Sequence, residues 1–205
     1  MTAAHVIARH PEAWRAATRP PFLDAVRDGT LPAGAFAAWV TQDYLFVGDV
    51  RATQARLLAR APRPDQGVLA GGLVAVEAEL GWFEGQAGRW GIALAAPRHP
   101  TTVAYRAALH DLARDTYAAA LVALWALERA YREAWRGAAP GRQAYREFVD
   151  HGTTPAFAAY VTGIKAAADR ALAVDDAADA AAQAFLAVAR LEQAFWAMSW
   201  AGGDR

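Results

Sequence analysis

Helical periodicity runs through almost the whole chain, and alternating apolar–polar segments of the kind that form half-buried strands are nearly absent. A chain patterned this way can bury its apolar stripes only by packing helix on helix. The spacing predicts helices over about residues 3–17 and 22–28 and then, after the turn Asp28-Gly29-Thr30-Leu31-Pro32, a long one over 33–61. Pro62 and Pro64 close it, since proline lacks the amide hydrogen that an interior helical turn uses. Further helices are expected over 67–90, 101–114, 115–137, 142–151, 154–171 and 175–200, separated by a loop holding Pro97 and Pro100 and by the break Gly137–Gly141. The reading is one all-α domain over 1–205, a bundle of seven to nine helices without linker or internal repeat.

Composition narrows the functions open to such a bundle. The 55 alanines and 20 arginines suit helices, and a chain of 205 residues is long enough to bury a full core. It contains no cysteine, which removes disulfides, zinc–thiolate sites, iron–sulfur clusters and thiol nucleophiles together. Acidic and basic residues balance at 21 each, so there is no basic surplus to form a nucleic-acid footprint. The longest apolar stretches, 118–127 and 177–189, fall short of the roughly 20 residues a membrane span needs. The N-terminal segment has no continuous apolar run of the signal-peptide kind, so a cytoplasmic protein is expected.

Residues three and four apart share a helix face, so neighbours at those spacings show which carboxylates point inward. Asp43 has Trp39 and Val40 before it and Phe46 and Val47 after it. Glu79 lies among Ala75, Val76, Trp82 and Phe83, and Glu192 among Val188, Ala189, Phe195 and Trp196. Glu128 is flanked by Leu124, Trp125 and Tyr131, with Arg132 placed as an ion-pair partner. Burying an unpaired carboxylate costs several kcal/mol, so such acids are neutralised, hydrogen-bonded by a neighbouring helix or directed at a polar cavity or ligand. A single inward acid is more often structural; four of them point to a shared site. The aromatic residues at helical spacing read as core, although the hydroxyls of Tyr105 and Tyr160 need partners if buried.

Other chemistries find little support. None of His5, His10, His99, His110 and His151 pairs with an acid as E-x-x-H or H-x-x-x-H on one helix face, so no metal and no cofactor is expected. His151 directly follows Asp150 and so points away from it on a helix. Gly71-Gly72 lacks the spacing and the lysine of a phosphate loop. The one serine, Ser199, has no histidine at a readable distance for a triad. Carboxylates, tyrosines and water are left to act.

Taken in order, the segments DGTLPAGAFAAWVTQDYLFV (28–47), VEAELGWFEGQAGRWGI (76–92), PTTVAYRAAL (100–109), AALVALWALERAY (119–131) and LEQAFWAMSW (191–200) resemble the TenA (thiaminase II) family, which has a haem-oxygenase-like helical fold. The resemblance spans nearly the whole chain, and its most specific pieces are G-T-L-P followed by Q-D-Y, and the terminal E-x-x-F-W-x-M. It implies that Asp43 binds the aminopyrimidine ring of the substrate, which fits a carboxylate able to accept from an exocyclic amino group and to pair with a protonated ring nitrogen. It places the stacking aromatic on Phe46, where members commonly have Tyr, and the family's other tyrosine on Tyr105. The acid of the fourth family helix falls on Glu79, two positions after Glu77, and the catalytic Glu of the last helix falls on Glu192.

The chain departs from the thiaminase pattern where it matters most. The P-C-Y-W of that subgroup reads Val122-Ala123-Leu124-Trp125, so alanine stands in place of the nucleophilic cysteine and attack through a cysteine adduct is closed. A tyrosine expected before the helix at 154–171 is replaced by His151-Gly152. The resemblance is therefore to the cysteine-less subgroup, associated with hydrolysis of amino- or formylamino-pyrimidine breakdown products in thiamin salvage. Glu192 would shuttle a proton between water and the leaving amine, its pKa lifted by desolvation, while Asp43 orients the ring, Phe46 stacks on it and Tyr105 bonds the substrate or the Glu. Two alternatives stand beside this. One is a non-catalytic small-molecule-binding or regulatory homologue; the other is oxidative chemistry on the same fold, whose metal-binding relatives carry a His after the helix-four acid where this chain has Trp82 and Phe83. The implied partners are a small pyrimidine ligand and copies of the same chain, as a dimer or tetramer, with neither nucleic acid nor membrane.

Overall fold

The computed structural model describes residues 1–204 and is built of helices joined by short turns. The first expected helix divides in two, α1 (Ala3–Ala8) and α2 (Pro11–Thr18), because Pro11 cannot continue a helix from behind but is well suited to open one. Then come α3 (Pro21–Asp28), α4 (Ala33–Ala59), α5 (Arg63–Trp90), α6 (Pro100–Leu112) and α7 (Tyr117–Gly137). They are followed by α8 (Arg146–His151), α9 (Pro155–Val174), α10 (Ala178–Ala201) and a closing 3-10 turn at Gly202–Asp204. Pro21, Pro100 and Pro155 likewise sit in the first turns of their helices, where no amide hydrogen is missed. Thr116 and Thr154 cap α7 and α9, each hydroxyl accepting from a backbone N–H three residues on at 3.2 Å. The elements expected from the sequence are thus present, with α8 shorter than 142–151 because residues before Arg146 form turns.

Every residue from Ala118 to Glu128 is buried, which makes α7 the central helix of the bundle. It packs against α9 on one side and α10 on the other, and α4 lies along α5. No helix among the described residues is long and apolar enough to cross a membrane. Sequence spacing then fixes where the acids sit. Trp39 precedes Asp43 by one turn on α4, Phe83 follows Glu79 by one turn on α5, and Trp135 follows Glu128 by two turns on α7. Those three rings meet, Trp39 lying 5.0 Å from Trp135 and 5.7 Å from Phe83, and Phe148 of α8 joins them. The aromatic cluster is a packed floor, and the three carboxylates stand one to two turns above it.

Candidate active site

Above that floor, α4, α5, α7, α9 and the end of α8 enclose a cavity of about 720 Å³. Asp43 and Phe46 reach it from α4, Glu79 and Trp82 from α5, Glu128 and Tyr131 from α7, His151 from α8, and Phe157 and Tyr160 from α9. No lysine or arginine is among the lining residues. Gly72 brings α5 and α9 close: a Cβ there would collide with Gln54 Nε2 and come within 2.5 Å of the Tyr160 ring. The Tyr160 hydroxyl donates to Gln54 Oε1 at 2.8 Å, while Gln54 Nε2 donates to the Leu69 carbonyl at 2.9 Å, so this tyrosine already has its partner.

The acids are held under electrostatic stress. Asp43 is 3% exposed and its Oδ2 has no hydrogen-bond partner. Burial first, and then the charges of Glu79, Glu192 and Glu128, push its pKa well above the ordinary carboxylate range. Glu128 is pushed up to about 8, mainly by burial and further by Glu79 and Glu192. Glu192 is pushed up to about 7 by burial, opposed by a hydrogen bond from the Tyr105 hydroxyl at 2.6 Å. Tyr105 and Tyr131 are raised for the same primary reason, burial, with the neighbouring carboxylates adding to it. A cluster of this kind prefers protonated acids or a ligand that brings positive charge and N–H donors.

Of the residues singled out from the sequence, Asp43, Phe46 and Glu79 line the cavity. Tyr105 and Glu192 form a buried pair one layer behind the lining, with the Phe46 ring packed on Tyr105 at 4.5 Å and on Phe195 at 5.5 Å. Glu79 and Glu77 part company: Glu77 is exposed and takes an ion pair with Arg51 at 2.6 Å, and only Glu79 turns inward. The expected Glu128–Arg132 ion pair does not form among the described residues. Arg132 Nε is buried without a partner, and Glu128 faces the cavity instead.

Spacing along one helix could not reveal the His151–Glu79 contact, which joins α8 to α5 across the fold. The imidazole also stacks on Trp82, ring centroids 3.7 Å apart and planes 4° from parallel. Among the described residues no group of three or more His, Asp or Glu is arranged to hold a metal ion.

The helical bundle has the fold of TenA homologues of known structure. It superimposes with a TM-score of 0.93 on a TenA homologue from Pyrococcus furiosus, 26% identical, covering 98% of this chain and all of that one. A protein described as a TenA family transcription regulator from Silicibacter shares the fold with a TM-score of 0.87 at 21% identity, covering 96% of this chain and 95% of that one. In sequence the chain is 31% identical over 207 residues to a Glycine max protein named as a probable bifunctional TENA-E protein, covering 93% of this chain and 90% of the relative. Residues 7–202 match the TENA/THI-4/PQQC family, and the chain belongs to that family.

Proposed function

We propose that the protein is a hydrolase acting on an aminopyrimidine, an amino- or formylamino-pyrimidine product of thiamin breakdown, and that it works without a covalent enzyme intermediate through cysteine. The observation that carries this is the partnerless Asp43 Oδ2, buried in a wall shared with Glu79 and Glu128, with no lysine or arginine among the described lining residues. That wall complements a flat, nitrogen-rich ring offering an exocyclic amino group and a protonatable ring nitrogen. Phe46 and Trp82 give it aromatic faces.

In this reading Asp43 binds the ring edge, and Glu192, bonded to Tyr105 behind the lining, supplies the proton of the leaving nitrogen through an intervening water. A carboxyl whose pKa lies at about 7 exchanges its proton readily at neutral pH, which suits general acid–base work. Ala123, 2% exposed, fills the position that resemblance gives to cysteine with nothing able to attack, so water must be the nucleophile.

The test is Glu192→Gln. Turnover of aminomethyl- and formylaminomethyl-pyrimidine should be lost while binding of the pyrimidine, followed calorimetrically, stays close to the wild-type value. Wild-type rates in this variant would refute the role of Glu192. Thermal stabilisation of the wild-type protein by the pyrimidine without any turnover would instead favour the binding or regulatory reading, because binding alone raises stability by mass action.

A further inference from the structure

We propose that His151 is a positioning residue for the reaction: it fixes the Glu79 carboxylate so that one oxygen of Glu79 takes the proton of the attacking water. The inference rests on the hydrolase reading above and assigns within it the step that Glu192 leaves open.

His151 is the one lining residue able to carry positive charge, in a cavity that otherwise offers three carboxyl groups. Its Nε2 meets Glu79 Oε2, and among the described residues Glu79 Oε1 makes no hydrogen bond. The imidazole plane is set by Trp82 beneath it. The backbone that carries it is set as well. Phe148, three residues earlier on α8, is 2% exposed and packs on Trp82 and Trp39. Gly152, the next residue, lies so close to Trp135 that a Cβ there would come within 2.9 Å of its ring. Glu147 ties the other end of α8 to α5 through Gln86 at 2.8 Å and Arg89 at 2.6 Å. A surface histidine has no need of such an anchorage. A carboxylate that must meet a water in one orientation does.

The bonds balance as follows. The water oxygen bonds to the formyl carbon of the formylamino substrate, or to the methylene carbon of the amino substrate, and one water proton passes to Glu79 Oε1. The carbon–nitrogen bond breaks, and the nitrogen takes its proton from Glu192. Formate and amine, or hydroxymethyl-pyrimidine and ammonia, result. The proton on Glu79 returns to Glu192 through solvent, which restores both groups. The ionisable groups facing the pair are Asp43 from α4, Glu128 and Tyr131 from α7, and Glu147 on α8 itself.

A double-mutant cycle that separates kcat from KM, with rescue by a conservative variant, tests the role. His151→Ala should lower kcat about 10- to 100-fold with KM changed by less than about threefold, since orientation and not ring binding is lost. His151→Gln, which keeps an N–H for Glu79, should recover part of kcat. Glu79→Gln should cost about 10²–10⁴ in kcat, and adding His151→Ala to it should change nothing further. Melting temperatures of all four proteins show that they are folded. An unchanged kcat in His151→Ala, a loss in KM instead of kcat, or an effect that adds in full to Glu79→Gln, would overturn the role while leaving an active wild-type enzyme and the hydrolase reading in place. A wild-type protein that turns over neither substrate overturns the hydrolase reading, and this role with it.

Discussion

Replacing Glu128 by Gln should make the protein more stable in neutral and alkaline solution and leave its stability unchanged in acid. In the folded chain the Glu128 carboxyl titrates at about 8, against 4.5 for an ordinary glutamate, because it is buried and faces Glu79 and Glu192. Below pH 4.5 the group is protonated in both states and does not disfavour folding. As pH rises from 4.5 toward 8 the unfolded chain releases the proton while the folded chain keeps it, so the folded state loses ground throughout this window and no further above it. With about 1.4 kcal/mol for each tenfold change in proton affinity, the full penalty is ~5 kcal/mol, of which ~3 kcal/mol is already present at neutral pH. Gln has nearly the same shape and no charge, and among the described residues Glu128 makes no ion pair that it would lose, Arg132 Nε being without a partner. The variant should therefore melt about 6–12 °C higher than wild type near pH 7, at roughly 2–4 °C per kcal/mol for a chain of this size. Urea unfolding of both proteins at about pH 4, 7 and 9 checks it, with the difference growing in that order. A difference independent of pH, or a variant less stable at neutral pH, would refute the placement of Glu128 as an unpaired buried acid.

Two further outcomes follow from the same geometry. Tyr105→Phe removes the hydrogen bond that holds the Glu192 pKa down, so the Glu192 inflection in the kcat profile should move to higher pH and stability at neutral pH should fall. Gly72→Ala drives a methyl group into Gln54 and Tyr160 and should cost about 1–3 kcal/mol in urea unfolding, with the Tyr160–Gln54 bond weakened; unchanged stability would show that α5 and α9 are less closely packed than the structure has them.

Reading along single helices went far because most elements announce themselves. Pro62 and Pro64 mark the change from α4 to α5, and the unbroken apolar run at 118–127 becomes the central helix α7. The inward turn of Asp43, Glu79, Glu128 and Glu192 follows from neighbours three and four residues away, and the charges of the other three add to the rise of the Asp43 pKa. Spacing on one helix places Arg132 beside Glu128, yet the two do not pair among the described residues, because such spacing shows that two side chains can meet and not that they do. It also left Glu77 beside Glu79, where the inward position is separated from the outward one only by the docking of α5.

The sequence by itself determined the all-helical class, the acids on apolar faces and the absence of a thiol, since each of these depends on residue type or on contacts within a few residues. Only the tertiary structure decided which groups share a space. It set Glu192 against Tyr105 behind Phe46, turned Glu128 toward the cavity and brought His151 across to Glu79 over 72 residues of chain. The physical reason is that a helix fixes the direction of a side chain about its own axis, whereas the partner it meets is chosen by how helices pack.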